Sequence, residues 1–169
     1  HDLRGIVNGI DYDDWNPETD KYLVKPFNAR NFRKEKAKNK KALQEQFGMN
    51  VDPGKMMIGI VSRLTDQKGL DLVECIMDEL CQDDIQFVVL GTGDEKYENM
   101  FRHYDWKYHD KVSAQIYYSN EISHKIYASC DAYLMPSLFE PCGLSQLIAL
   151  RYGTVPIVRE TGGLRDTVQ

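Results

Sequence analysis

Five short apolar runs, residues 56–61, 86–90, 112–117, 132–135 and 154–158, each break off into a polar, glycine-bearing or serine-bearing turn. Between them lie stretches with helical spacing, such as Val73, Ile76, Met77 and Leu80 at i, i+3, i+4 and i+7. Runs of four to six apolar residues without alternation read as strands buried on both faces. Strands of that type alternating with helices predict a parallel sheet covered on both sides, an α/β Rossmann-like domain. Ligands of such sheets sit beyond the carboxyl ends of the strands. The turns at 62–69, 91–94, 117–120, 137–145 and 161–164 all leave those ends, so they are expected to converge on one crevice.

The remainder is less regular. Residues 5–10 form a short apolar element ending at the turn signal Asn8-Gly9, and 11–30 read as an irregular loop carrying Trp15, Pro17 and Pro26. Residues 31–47 read as a helix docked mainly through Leu43 and Phe47. Its basic run from Arg33 to Lys41 is interrupted by Glu35 and has no interleaved aromatics, which favours a solvated face over a nucleic-acid patch. The formal net charge of -5 also speaks against a nucleic-acid partner. No apolar stretch nears the roughly 20 residues of a membrane span. The four cysteines match no zinc spacing, and His103, His109 and His124 show no metal-ligand spacing, so no metal is expected and reduced thiols point to the cytoplasm. At 169 residues one domain, 1–169, is expected. The abrupt opening at His1-Asp2-Leu3, and a new helix beginning just before Gln169, give the reading of a fragment of a longer chain.

The chemistry concentrates around residues 136–146. The turn Pro141-Cys142-Gly143-Leu144-Ser145 opens an apolar helix over 144–152, and a helix start offers free N–H groups and partial positive charge to an anion. Glu140 stands beside it, which suggests a ligand with a phosphate end and a hydroxyl-rich end. Arg63 and Lys68 are the positive charges of the first turn and suit a diphosphate, although a pair of surface charges capping that loop would look the same in sequence. Gly91-Thr92-Gly93 lacks the third glycine of a dinucleotide fingerprint and reads as a close-approach turn. Tyr117 and Tyr118 could stack on a base, yet adjacent strand residues face opposite ways, so one of the two could belong to the core. Glu140 could be nucleophile, base or hydroxyl acceptor. No second carboxylate within the motif supports double displacement, which favours an acceptor or charge-stabilising role. Cys142 has no histidine near it in sequence to activate it and reads as a spectator.

With those residues in place, the chain resembles the bacterial glycogen synthase and plant starch synthase family. The matching segments are 5–11 (GIVNGID), 15–20 (WNPETD), 61–72 (VSRLTDQKGLDL), 136–146 (PSLFEPCGLSQ) and 161–168 (TGGLRDTV). The resemblance implies the donor-binding domain of a two-domain GT-B transferase that moves glucose from ADP-glucose to α-1,4-glucan with retention of configuration. It implies no cofactor, an opposing N-terminal domain as partner, and neither nucleic acid nor membrane. By position it implies that Arg63 and Lys68 neutralise the diphosphate, with the Leu144 N–H and Ser145 hydroxyl completing the cradle. Tyr118 would stack on adenine, and Glu140 would meet the glucose. The N–H groups of Cys142 and Gly143 would reach the sugar hydroxyls, and Asn8 would lie at the cleft edge. Ile148 stands where related enzymes often carry a second glutamate, so a ribose-binding carboxylate is not expected there. A UDP-glucose-using transferase domain and a non-catalytic nucleotide-sugar or glucan-binding module are the alternatives.

Overall fold

The structure, a computed structural model, describes residues 5–168; His1 to Leu3 and Gln169, on which the fragment expectation rests, lie outside the described residues. Strands β1 (Met56–Val61), β2 (Ile85–Leu90), β3 (Val112–Gln115), β4 (Ala132–Met135) and β5 (Val155–Val158) form one parallel sheet in the order β3-β2-β1-β4-β5. The connecting helices are α1 (Phe32–Gln46), α2 (Leu70–Leu80), α3 (Glu95–Lys107), α4 (Asn120–Ser129), α5 (Ser145–Arg151) and α6 (Gly162–Thr167). The expected Rossmann-like α/β sheet is therefore present.

Alternation along β1 sends Ile58 and Ile60 to one face, where they pack with Val73, Met77, Phe101 and Tyr104 of α2 and α3. Met57 goes to the other face and meets Leu43, Ile122 and Ile126 of α1 and α4. Gly59 lies under α4 because a Cβ there would sit 2.7 Å from Cys130 Sγ and 2.9 Å from Ile126 Cγ2. A third cluster joins Tyr133 and Met135 of β4 to Ile148, Ala149 and Tyr152, and to Leu23 and Phe27 of the long loop. Each such buried large side chain contributes on the order of 1.5–3 kcal/mol. After β3 the chain crosses back through α4 and enters β4 on the other side of β1, so the topological switch point lies between β1 and β4.

Several expectations change. Residues 5–10 form no strand and are largely exposed, Ile6 most of all. Strand β3 stops at Gln115, two residues short of Tyr117, because Gln115 pairs with Leu90, the last residue of β2. On α2, Ile76 is exposed while Val73 and Met77 carry the packing. Helix α5 has only seven residues, and its Leu150 and Arg151 are exposed, so it is half exposed and not apolar all round.

The largest correction concerns α1. Leu43 is buried as expected, but Lys36, Asn39, Lys40 and Gln44 are buried with it, and the basic run is only partly a solvated face. Lys36 Nζ donates to Tyr127 O (3.2 Å), Tyr152 O (3.0 Å) and Thr154 Oγ1 (2.8 Å). Lys40 Nζ donates to Lys55 O (2.8 Å) and Asp131 Oδ2 (2.6 Å), and Asp131 Oδ2 also accepts the Met57 N–H. Lys55, Asp131 and Thr154 immediately precede β1, β4 and β5. Helix α1 thus caps the amino ends of β1, β4 and β5, opposite the end where a ligand would bind. Burial pushes the Lys36 ammonium down to about 8.

Candidate active site

At the carboxyl end of the sheet, the β1–α2 and β4–α5 loops are stitched together. Leu138 N–H donates to Gln67 O (2.9 Å), and Gln67 Nε2 donates to Phe139 O (3.1 Å). Gly69, at φ +66°, sits so close to Pro136 O that no side chain would fit. These contacts bring Lys68 to Glu140, Nζ to Oε2 at 2.8 Å, and Ser137 Oγ lies 3.3 Å from the same carboxylate oxygen. Sequence reasoning assigned Lys68 and Glu140 separately and gave no sign of their pairing. Arg63 is exposed, and no carboxylate pairs with it among the described residues.

The Gly91-Thr92-Gly93 turn is a close-approach turn, as expected. Leu64 N–H donates to Thr92 O and Asp94 N–H to Leu64 O, and a Cβ on Gly91 or Gly93 would collide with Ser62 O or Leu64 O. Beside it opens a cavity of about 330 Å³ lined by Trp15, Arg63, Thr92, Tyr118, Asn120 and Ile148 among others. Tyr118 is 88% exposed and Tyr117 43%. Neither belongs to the core, because both lie past the end of β3, where strand alternation no longer applies. Tyr117 OH donates to Gln115 Oε1, whereas Tyr118 finds no hydrogen-bond partner for its side chain among the described residues. A smaller cavity of about 100 Å³, lined by Arg63, Lys68, Ser137 and Ser145, shares Arg63 and Ser145 with the first. The two form one crevice running from Tyr118 past Arg63 and Ser145 to the Lys68–Glu140 pair.

The turn beside Glu140 is held by the β5–α6 loop. Gly163 N–H donates to Glu140 O (2.9 Å), and Cβ atoms on Gly162 or Gly163 would collide with Glu140 O or Cys142 O. Residues 161–164 therefore serve the crevice from behind and do not line it. Among the described residues, the backbone N–H groups of Cys142, Gly143, Leu144 and Ser145 find no acceptor. A two-turn helix has a weaker dipole than the sequence reading assumed, so these N–H groups carry more of any anion affinity than the helix does.

Sequence reasoning missed a buried network behind the larger cavity. Asp20 Oδ2 lies 2.7 Å from His124 Nδ1 and accepts the Tyr152 hydroxyl at 2.6 Å, and Trp15 stacks on the His124 ring at 4.0 Å. Burial raises the Asp20 carboxyl, but hydrogen bonds from His124, Tyr152 and the Tyr22 N–H outweigh it and hold it below the usual carboxylate value. Burial, and then the Asp20 carboxylate, raise the Tyr152 hydroxyl. His124 is thus a buried residue of α4. Its only sequence signal was the polar, aromatic composition of 15–20, a segment that reads as loop. Asn8 is exposed in the irregular opening stretch.

Residues 40–169 match the family described as glycosyl transferases group 1. The chain belongs to that family. It is 74% identical over 167 residues to a glycogen synthase of Lachnospira eligens, covering 99% of this chain and 35% of that protein. A glycogen synthase of Lachnoclostridium phytofermentans is 67% identical with the same coverage. Among solved structures, the catalytic domain of starch synthase IV from Arabidopsis thaliana, bound to ADP and acarbose, matches with a TM-score of 0.90 and 41% identity, over 98% of this chain and 34% of that one. The chain thus spans about a third of the length of these relatives. The group 1 match begins inside α1, so Trp15 and Asp20 come from a segment that precedes it but falls within the stretch shared with the glycogen synthases. Among the described residues no helix is long and apolar enough to cross a membrane.

Proposed function

We propose that this chain is the donor-binding domain of a retaining glucosyltransferase that moves glucose from ADP-glucose to the non-reducing end of an α-1,4-glucan. The observation that carries the reading is the order of the crevice: an exposed aromatic ring at Tyr118 in the larger cavity, Arg63 and Ser145 shared by both cavities, and Lys68, paired with Glu140, in the smaller. That order matches base, diphosphate and sugar. The close likeness to glycogen synthases and to a starch synthase solved with ADP and acarbose supports it.

In this reading Tyr118 stacks on adenine. Arg63 and Lys68 neutralise the diphosphate, with the Leu144 N–H and Ser145 Oγ completing its cradle. Glu140 and the N–H groups of Cys142 and Gly143 meet the glucose. The anomeric carbon–oxygen bond breaks as the acceptor hydroxyl attacks from the same face and passes its proton to the departing diphosphate, whose gathering negative charge the two cations stabilise. No cofactor or metal is assigned. An opposing domain supplies the acceptor surface and closes the crevice against water. The protein works in the cytoplasm, in keeping with its four free cysteines.

Calorimetry of the chain with ADP, UDP, adenosine and a maltooligosaccharide tests the proposal. ADP is expected to bind more tightly than UDP and adenosine, and the oligosaccharide to bind weakly. Tighter binding of UDP would make this a UDP-glucose enzyme. Oligosaccharide binding without nucleotide binding would make it a glucan-binding module.

A further inference from the structure

One buried side chain within the 136–146 motif has no role in the reading above. Gln146 is fully buried, at 0% exposure, although it stands at the second position of a short helix next to the crevice. Its Nε2 lies 3.0 Å from Cys142 O, 3.1 Å from Gly143 O and 3.1 Å from Thr167 Oγ1. Thr167 Oγ1 donates in turn to Gly163 O at 2.6 Å, so its hydrogen is committed and it offers Gln146 only a lone pair. Three acceptors around one nitrogen fix which end of the amide faces the turn. The other end, Oε1, is buried without a partner among the described residues. An unpaired buried acceptor is costly, so packing alone does not account for a glutamine here.

The geometry has a direct consequence for the turn. In a trans peptide the C=O and the following N–H point in opposite directions, and none of the described peptides is cis. With the Cys142 carbonyl tied back to Gln146, the Gly143 N–H must point away from it. With the Gly143 carbonyl tied to the same nitrogen, the Leu144 N–H must do likewise. Both N–H groups lack acceptors among the described residues. Gly143 stands at φ +71°, where a Cβ would run into the Gln146 amide, so the glycine is what lets this clamp close.

We propose that Gln146 is a positioning residue: it fixes two peptide planes so that the Gly143 and Leu144 N–H groups are preset toward the crevice, where they donate to the diphosphate and sugar oxygens of the donor. The inference rests on the nucleotide-sugar reading of the site. Preset donors stabilise charge without reorganising, whereas a free glycine turn would have to be ordered on each binding event.

The test uses Gln146→Met, which keeps length and apolar volume but removes the donor, and Gln146→Glu, whose carboxyl can donate only when protonated. Binding of ADP and adenosine is measured by calorimetry between pH 5 and 8, each variant relative to wild type. Gln146→Met is expected to weaken ADP about tenfold at every pH and to leave adenosine within about twofold. Gln146→Glu is expected to bind ADP as poorly at pH 8 and to recover part of the loss toward pH 5. Independently of any variant, ADP but not adenosine is expected to shift the Leu144 amide resonance of the wild-type chain, and ADP-glucose to shift those of both Gly143 and Leu144. Equal losses of ADP and adenosine would make Gln146 a folding residue only. Undiminished ADP affinity in Gln146→Met, a Leu144 amide unmoved by ADP, or a Gly143 amide unmoved by ADP-glucose would overturn the inference and leave the nucleotide reading standing. Failure of the wild-type chain to bind ADP would remove both.

Discussion

Lys68 Nζ lies 2.8 Å from Glu140 Oε2, with both side chains largely buried, at 15% and 13% exposure. The cation assigned to the diphosphate and the carboxylate assigned to the sugar are therefore partners of one another before a donor arrives. In the proposed reading, an arriving diphosphate competes with Glu140 for Lys68, and the released carboxylate becomes free to accept a hydroxyl from the glucose. Glu140→Gln should accordingly leave ADP affinity unchanged or up to about threefold tighter, since Lys68 no longer has to be shared. Turnover in the full-length protein should fall by about a hundredfold or more. Calorimetry and label transfer from ADP-glucose to glycogen read the two halves separately, and retained turnover would return Glu140 to a role as the partner of Lys68.

The two cations differ in surroundings, so their removal should differ. Arg63→Ala deletes one charged partner of the diphosphate and should weaken ADP by about 1.5–3 kcal/mol. Lys68→Ala deletes a partner and also leaves Glu140 uncompensated beside the phosphates, so its loss should be the larger. Adenosine should bind both variants nearly as it binds wild type. If adenosine falls with ADP, the 62–69 loop is a structural element and not a phosphate site.

Much of this arrangement was legible in the sequence because it depends on short-range pattern. Buried parallel strands announce themselves as unbroken apolar runs, and Gly69 and the Gly91/Gly93 pair mark where backbones approach. What stayed hidden depends on distance along the chain or on a neighbour. Asp20 and His124 are 104 residues apart, and nothing local marks either as buried. The end of β3, which frees both tyrosines from the core, is set by where β2 ends. Lys36 and Lys40 sit in a run whose composition reads as solvated, because a lysine stem buries readily while its ammonium finds carbonyls that only the fold supplies. The Lys68–Glu140 pair joins two loops across the switch point and has no sequence signature.

The wall of the larger cavity offers a separate check. Trp15→Leu should weaken ADP and adenosine by similar factors, because Trp15 lines the part of the crevice assigned to the base and lies away from the phosphates. Asp20→Asn should lower folding stability by about 3 kcal/mol in urea denaturation, as it removes the carboxylate that His124, Tyr152 and the Tyr22 N–H all address. The Asp20 carboxyl is held below its unfolded value of 3.8, so its contribution is fully present above that pH and is lost as pH falls through the lower folded value. The wild-type advantage over Asp20→Asn should therefore persist from neutral pH down to about pH 4 and shrink only below it. An advantage already gone at pH 5 would contradict the assignment.

Lys36 gives a pH dependence of its own at the other end of the scale. Its folded value is about 8 against 10.5 in the unfolded chain, because burial disfavours the ammonium more than nearby Cys130 and Asp131 favour it. Between those values the unfolded chain binds a proton that the folded chain does not, so stability from this group rises with pH across that window. The gain is absent below about pH 8 and complete above 10.5. Other lysines oppose it: Lys55, Lys96 and Lys107 are raised in the fold, chiefly by hydrogen bonds to Asp84, Asp66 and Asp78, and lose their contributions as pH climbs. The comparison must therefore be with Lys36→Met, which keeps those pairs and removes only the buried amine. Lys36→Met should be less stable than wild type throughout, since the Tyr127 and Tyr152 carbonyls lose a donor. The difference should widen between pH 8 and 10.5 by at most about 3.5 kcal/mol, at roughly 1.4 kcal/mol per pKa unit. A gap that stays constant across that range in paired denaturation curves would mean that Lys36 keeps its proton, and that the three oxygens around it hold the ammonium as well as water does.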